Sequence, residues 1–123
     1  MKTLVLFLSL ISGYASAHQF TPTYPELTPS HIEGVYKADM VLLNTRKDIK
    51  YYALSVFTKD WKPVRFASQN KLVRLGFRER KYLSIYISKM DIAKVEYICS
   101  KSKILSSVKD TSIVASRICS KIK

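Results

Sequence analysis

The sequence predicts an all-β fold, a single antiparallel sandwich of about seven strands behind a cleavable signal peptide. Three observations support this prediction. Short runs rich in branched and aromatic residues recur through residues 32–123, separated by polar turn residues. No part of that stretch has the periodicity of an amphipathic helix. The two cysteines stand in a tetrapeptide that occurs twice, as in the two arms of a hairpin. A small barrel is the alternative architecture.

Residues 1–17 have the parts of a secretory signal. Lys2 supplies the positive start, and the apolar stretch after it is too short to anchor the chain across a bilayer. Ala15-Ser16-Ala17 is the small-x-small pattern that signal peptidase accepts. We therefore expect cleavage before His18, export to the periplasm or the cell exterior, and one domain with no further membrane span.

Residues 18–31 are predicted to form an extended, irregular arm. Proline fixes φ and removes a backbone donor, which disfavours regular structure in a segment with three prolines. Phe20, Tyr24 and Leu27 give the arm apolar anchors. We expect it to pack along the edge of a sheet, either in its own domain or in a neighbour.

The sandwich domain itself is predicted for residues 32–123. The clearest strand covers residues 82–88, where Leu83, Ile85 and Ile87 alternate with polar and aromatic residues. Residues 61–63 form a turn that contains Trp61 and a proline. The predicted strands are 35–44, 51–57, 64–66, 71–75, 82–88, 95–104 and 113–122.

The last two predicted strands contain the repeated tetrapeptide, Ile98-Cys99-Ser100-Lys101 and Ile118-Cys119-Ser120-Lys121. A disulfide between Cys99 and Cys119 is expected, because an even cysteine count in a small exported domain favours pairing. If these cysteines lie opposite each other, Lys101 faces Arg117 and Ile104 faces Val114. The bond then holds the final strand in place.

The charge balance is strongly basic, with 21 Lys and Arg, 9 Asp and Glu, and a net charge of +12. Such a balance favours a protein partner or surface that is anionic, and export disfavours nucleic acid. The hairpin register predicts a row of cations on one face. Cations directly opposite each other are destabilising, so this row indicates an acidic partner; a solvated face is the alternative. The predicted basic binding face comprises Lys101, Lys103, Arg117 and Lys121.

The sequence lacks the residue patterns of a catalytic site. It has only two histidines, no glycine-rich phosphate loop and no Cys-x-x-Cys pair. We therefore expect a protein that is not an enzyme and that needs no cofactor.

One metal site is an alternative. Cleavage before His18 joins an α-amine and an imidazole on one residue, and His31 completes a three-nitrogen set suited to copper. Exported β-sandwiches of the copper-dependent polysaccharide monooxygenase and copper-carrier kinds use an N-terminal histidine in this way.

The order of features resembles the N-terminal, immunoglobulin-like domain of periplasmic pilus chaperones. A strand ends at Asn44, an aromatic-rich strand covers residues 51–57, and a Leu75-Gly76 turn precedes the alternating strand at 82–88. The resemblance implies an immunoglobulin-like sandwich and a chaperone-like function. Pilus chaperones have two domains and hold the client's terminal carboxylate with a basic pair that includes an Arg near the N-terminus. This chain has room for one domain, and residues 18–45 contain no Arg.

Taken together, these features predict an exported, non-catalytic binding or structural module. It acts through protein–protein or surface contacts, as an oligomer if it belongs to an assembly at the cell surface or in a virion. In size and style it is similar to small exported structural proteins of tailed phages. A copper-binding protein and a periplasmic chaperone-like protein are the alternatives.

Overall fold

The computed structural model describes residues 18–103 and 116–123. The predicted signal peptide, residues 1–17, lies outside the described residues. So do Ile104 and Val114, the predicted rung near the tip of the terminal hairpin.

Strands make up nearly all the regular structure within these limits, with one short 3-10 helix. None of the described segments is a helix long and apolar enough to cross a membrane. The elements are β1 (His18–Thr21), β2 (Thr28–Pro29), β3 (Val35–Asn44), β4 (Tyr51–Phe57), β5 (Leu72–Arg74), β6 (Arg80–Ser88), the 3-10 helix (Ile92–Lys94), β7 (Tyr97–Lys103) and β8 (Arg117–Lys121).

The strands form two antiparallel four-stranded sheets. In the first sheet, β3 is central: β1 and β2 pair with opposite ends of one of its edges, and β6 pairs along the other. The second sheet has the order β5-β4-β7-β8. The predicted antiparallel sandwich is confirmed.

The core lies between the two sheets and follows the alternation of the strands. In β6, Leu83, Ile85 and Ile87 are buried, whereas Tyr82 on the opposite face is 71% exposed. Strand β4 buries every second residue in the same way. Burial of these apolar faces, at about 25 cal/mol per Å², is the main term that stabilises the sandwich.

The segment 18–31 is more regular at its start than the sequence predicts. Residues 18–21 form a strand, because His18 and Phe20 point into the core while β1 pairs with β3. A cis bond joins Thr21 to Pro22. Beyond it, the carbonyls of Thr23 and Pro25 accept hydrogen bonds from the backbone of residues 121 and 123. The arm therefore packs along the edges of its own domain.

The strand predicted at 64–66 is not formed. This segment crosses from one sheet to the other: Pro63 bridges to Phe57 in the second sheet, and Ala67 bridges to Tyr86 in the first. Val64 is buried between these two bridges. The apolar character of Val64 thus reflects its own burial, whereas Arg65 beside it is exposed and the segment passes from sheet to sheet at the edge of the sandwich.

Candidate partner-binding face

The terminal hairpin has the predicted register. Cys99 lies opposite Cys119, and Lys101 lies opposite Arg117. The disulfide between the two cysteines is formed, with their Cα atoms 4.0 Å apart. Such a short separation is typical of a non-hydrogen-bonded pair in an antiparallel ladder. The bond joins β8, an edge strand, to β7.

The alternation of β7 and β8 places all four predicted basic residues on the outer face of the second sheet. Lys101, Lys103, Arg117 and Lys121 are exposed. The inner face receives Ile98 and Ile118, as predicted, together with a set of buried serines. These serines are Ser100, Ser102 and Ser120.

Three aromatic rings lie beside the cations on the same face. The Trp61 ring stacks on the Tyr97 ring at 4.2 Å with 3° between the planes, and it lies 5.7 Å from the Phe57 ring. The guanidinium of Arg117 lies 5.0 Å from the centre of the Trp61 ring and 5.5 Å from that of Phe57. We call Lys101, Lys103, Arg117 and Lys121 with these three rings the basic–aromatic face.

A tight turn places Trp61 on this face. The Trp61 amide donates to the Thr58 carbonyl at 3.0 Å, and the Thr58 amide donates to the Lys62 carbonyl at 2.9 Å. Trp61 has a φ of 62°, a conformation that costs a residue with a Cβ free energy and requires support from its surroundings. The stack on Tyr97 and the turn hydrogen bonds provide that support. The sequence indicates the turn but not the direction in which its indole points.

The Arg117 side chain crosses the disulfide. The Cys99–Cys119 rung lies between the rung of Arg117 and the rung that joins Phe57 to Tyr97. To reach the rings of Phe57 and Trp61, the guanidinium must therefore pass over the cysteines. This explains why Cys99 is 0% exposed although its side chain points to the outer face.

Among the described residues, the cations of this face form a single ion pair. Lys121 pairs with Glu96 at 3.6 Å, at the rim of the sheet. Within residues 18–103 and 116–123, no ion pair is found for Lys101, Lys103 or Arg117; the ion pairs there involve other cations. Three cations therefore face solvent together, which creates a field that attracts anions.

The structure does not bring the two histidines together. His18 is 2% exposed at one end of β3, opposite Asn44, whereas His31 is exposed in the connection at the other end of that strand. Among the described residues, no group of three or more His, Cys, Asp or Glu side chains is placed to hold a metal ion. The predicted copper set of His18 with His31 is therefore not assembled in this fold, because β3 separates its members.

His18 has a structural role instead. Its Nε2 lies 2.8 Å from the Ser100 hydroxyl, its Nδ1 lies 3.4 Å from that of Ser116, and its ring lies 4.8 Å from the Tyr52 ring. Burial lowers the pKa of His18 below its ordinary value of 6.5, and the nearby Arg46 cation acts in the same direction. Hydrogen bonding to the Ser100 carbonyl opposes this shift. A neutral imidazole thus links β1 to the second sheet.

Asn44 organises the same end of the sandwich. Its side-chain amide donates to the carbonyls of Ile49 at 2.7 Å and Leu75 at 2.9 Å, and its Oδ1 accepts from the Tyr52 hydroxyl at 2.5 Å. Burial raises the pKa of Tyr52 to about 12. These contacts hold the loops after β3 and β5 together. Asn44 and Leu75, two of the positions on which the chaperone resemblance rests, are therefore joined by a hydrogen bond in the fold.

Comparison with known proteins agrees with this fold. No protein-family model matches the sequence, and a search of curated proteins finds no significant match. Among solved structures, the chain is similar to the crystal structure of the E. coli chaperone DraB, with a TM-score of 0.65 and 18% sequence identity. The match covers 85% of this chain and 53% of the DraB chain, so this chain spans about half the length of that protein. The predicted likeness to an immunoglobulin-like chaperone domain is confirmed at the level of the fold.

Proposed function

We propose that this chain is an exported, non-catalytic module that binds an acidic protein surface through its basic–aromatic face. The observation that carries the proposal is the group Lys101, Lys103 and Arg117, which share one face without a carboxylate partner among the described residues. The disulfide supports export, because such bonds persist in oxidising compartments.

The like charges across the hairpin favour a binding role over a purely solvated surface. Lys101 and Arg117 lie directly opposite each other, a placement that destabilises a ladder. An acidic partner removes this repulsion when it binds. A folded, stapled sheet also holds the cations in fixed positions, which lowers the entropy that binding costs.

The aromatic rings favour a protein partner over a simple polyanion. Trp61 is 46% exposed and lies against both Tyr97 and Arg117. Tryptophan, tyrosine and arginine are the residues that contribute most of the binding energy in protein interfaces. An acidic protein surface that also presents an apolar side chain fits this combination.

The test compares two variants of equal net charge. In the first, Lys101 and Lys103 are both replaced by Glu. In the second, Arg65 and Lys89, which are exposed and lie near the opposite sheet, are replaced by Glu. Retention on immobilised polyglutamate is measured as a function of salt, beside the thermal unfolding of each protein.

We expect the Lys101→Glu/Lys103→Glu variant to elute at clearly lower salt than the Arg65→Glu/Lys89→Glu control, with melting temperatures close to that of the parent. Equal elution of the two variants means that net charge alone governs retention, and it rejects the basic–aromatic face as a binding site.

A chaperone-like function is the second candidate, and the part of the β8 edge that precedes Lys121 favours it. The Lys121 amide donates to the Thr23 carbonyl, away from β7. By alternation, the backbone groups of Arg117 and Cys119 point the same way, and no described residue pairs with them. A client strand is able to add to such an edge. The fold similarity to DraB supports this candidate.

Two substitutions at one position separate the candidates. Arg117→Pro removes an amide that faces outward and leaves the pairing with β7 intact, whereas Arg117→Gln removes the guanidinium but keeps the amide. A pilus subunit is co-expressed as the client, and its co-purification is measured. Loss with Arg117→Pro and retention with Arg117→Gln supports the chaperone-like candidate; equal retention by both variants rejects it.

A further inference from the structure

The outer edge of β6 is a second free edge, and it lies in the first sheet, away from the basic–aromatic face. Tyr86 both donates to and accepts from the backbone of Ala67 across this edge, at 2.8 and 2.9 Å. Because backbone groups alternate along a strand, those of Arg80, Tyr82 and Ser84 point outward as well. In the described part of the chain, no backbone partner lies against these three residues.

The side chains along this edge point to the outer face of the first sheet. Tyr82 is 71% exposed. The Ser84 hydroxyl donates to the Asp39 carboxylate at 2.9 Å, on the neighbouring strand β3. Asp39 also pairs with Lys37 at 3.3 Å and remains largely exposed. Arg80, four residues before Ser84 on the same face, is exposed.

We propose that this edge is a homodimer interface, at which β6 pairs antiparallel with β6 of a second copy about a two-fold axis at Tyr82. In this register Tyr82 lies opposite its own copy, and Arg80 lies opposite Ser84 of the other chain. All three residues then have their outward amides and carbonyls paired. The first sheet of one copy and the first sheet of the other then form one continuous sheet.

The charges along the edge fit a second copy of this chain. In the proposed register, Arg80 of the second copy lies beside Ser84 of the first. Asp39 of the first copy lies on β3, the next strand beyond Ser84. Two strand spacings separate the Cα atoms of this Arg80 and Asp39 by about 10 Å, which the two side chains span together. The two-fold axis repeats the pair, so each copy provides one Arg80 and one Asp39. This reciprocity is what an isologous interface requires.

An exposed strand edge without such a partner is a liability. Unpaired amides and carbonyls promote irregular edge-to-edge association, which natural sheets prevent with proline, bulges or inward-pointing charges. Residues 80–88 contain no proline and pair with β3 without a break in register. A closed dimer satisfies the edge and leaves none of these groups for further growth.

The test begins with the mass of the purified protein, measured by light scattering over a wide concentration range. We expect twice the monomer mass at high concentration. Tyr82→Pro removes an outward amide without a bond to β3, and it should give monomer only. Arg117→Pro, the same change at the free edge of β8, is the matched control and should remain dimeric.

A charge experiment keeps the proposal testable if proline unfolds the domain. Arg80→Glu places two carboxylates together at each Asp39, and Asp39→Arg places two cations there, so each variant alone should be monomeric. An equimolar mixture restores an opposite-charge pair at both positions and should form heterodimers. A parent protein that stays monomeric overturns the proposal. A dimer that survives both Tyr82→Pro and the single charge variants overturns it as well.

Discussion

The indole ring of Trp61 lies parallel to the phenol ring of Tyr97, with 4.2 Å between the centroids. Tyr97 belongs to β7, whereas Trp61 lies in the turn after β4, so the stack fixes that turn on the outer face of the second sheet. Arg117 completes the arrangement from β8. Residues from three separate parts of the sequence thus form one surface.

Replacement of Trp61 by Ala should destabilise the domain modestly, by about 1 kcal/mol, because the stack and the cation–π contact are lost at a half-exposed site. Chemical denaturation measures the change. The same replacement of Met90, the most exposed large apolar residue that is described, should have almost no effect. If Trp61→Ala is as stable as the Met90→Ala control, the ring stack does not hold the turn.

Replacement of Arg117 by Ala should expose the disulfide. Cys99 is fully buried although it lies on the outer face, since the Arg117 side chain passes over the cysteine rung. We expect reduction by a small thiol to become several-fold faster, because thiol–disulfide exchange depends on access to the sulfur atoms. Lys101→Ala, on the same rung and with the same loss of charge, provides the control. Equal reduction rates in the two variants would show that Arg117 does not shield the bond.

Replacement of Tyr52 by Phe should cost about 1 kcal/mol, the net value of a hydrogen bond whose acceptor keeps another donor. The Asn44 Oδ1 that loses the Tyr52 hydroxyl still accepts from the Arg46 amide at 2.9 Å. Thermal unfolding at neutral pH measures the difference, with Tyr82→Phe as the exposed control. A loss as large as that of a core truncation would contradict this account of Asn44.

Tyr52 also predicts an effect at high pH. Its pKa is raised from 10.0 to about 12 in the folded protein, so the unfolded chain ionises first. The contribution of Tyr52 to the free energy of unfolding is therefore complete below pH 10 and is lost as the pH rises toward 12. The stability advantage of the parent over Tyr52→Phe should shrink across this range.

The regular part of the fold follows from local pattern. Residues 82–88 alternate so clearly that the buried faces of Leu83, Ile85 and Ile87 are predictable one by one. The register of the terminal hairpin is also predictable, since a disulfide between facing strands leaves one pairing for Cys99 and Cys119.

The remaining features depend on tertiary contacts that carry no local signal. Trp61 adopts a positive φ because β7 offers it a ring to stack on. The first residues of the arm form β1 because the edge of β3 is open to them and the core accepts Phe20. Residues 64–66 look like a strand, yet they connect the edge of one sheet to the edge of the other. In each case the partner lies far away in the sequence.

His18 predicts a pH dependence near neutrality. Its pKa is below 6.5 in the folded protein, mainly because burial disfavours the charged imidazole. Above pH 6.5 the imidazole is neutral in both the folded and unfolded states, and the contribution of His18 is fully present. As the pH falls through 6.5, the unfolded chain binds the proton first, so stability decreases.

The groups that surround His18 support this direction of change. Arg46 is the charged residue that acts on it, and a cation disfavours a second positive charge. The other contacts are the neutral side chains of Ser100, Ser116 and Tyr52. None of these contacts therefore supplies an anionic partner for the protonated imidazole of His18.

The free energy of unfolding of the parent should accordingly fall below pH 6.5, with a slope of at most about 1.4 kcal/mol per pH unit. His18→Gln keeps a polar side chain at the position but does not titrate, so its profile should be flatter in this range. His31→Gln is the control, because it makes the same replacement at an exposed site. Subtraction of the profiles removes every titrating group that the proteins share. A difference in unfolding free energy between parent and His18→Gln that stays constant from pH 5 to pH 8 would contradict this account. It would mean that the imidazole titrates alike in the folded and unfolded states, so that its burial between β1 and the second sheet has no influence on its protonation.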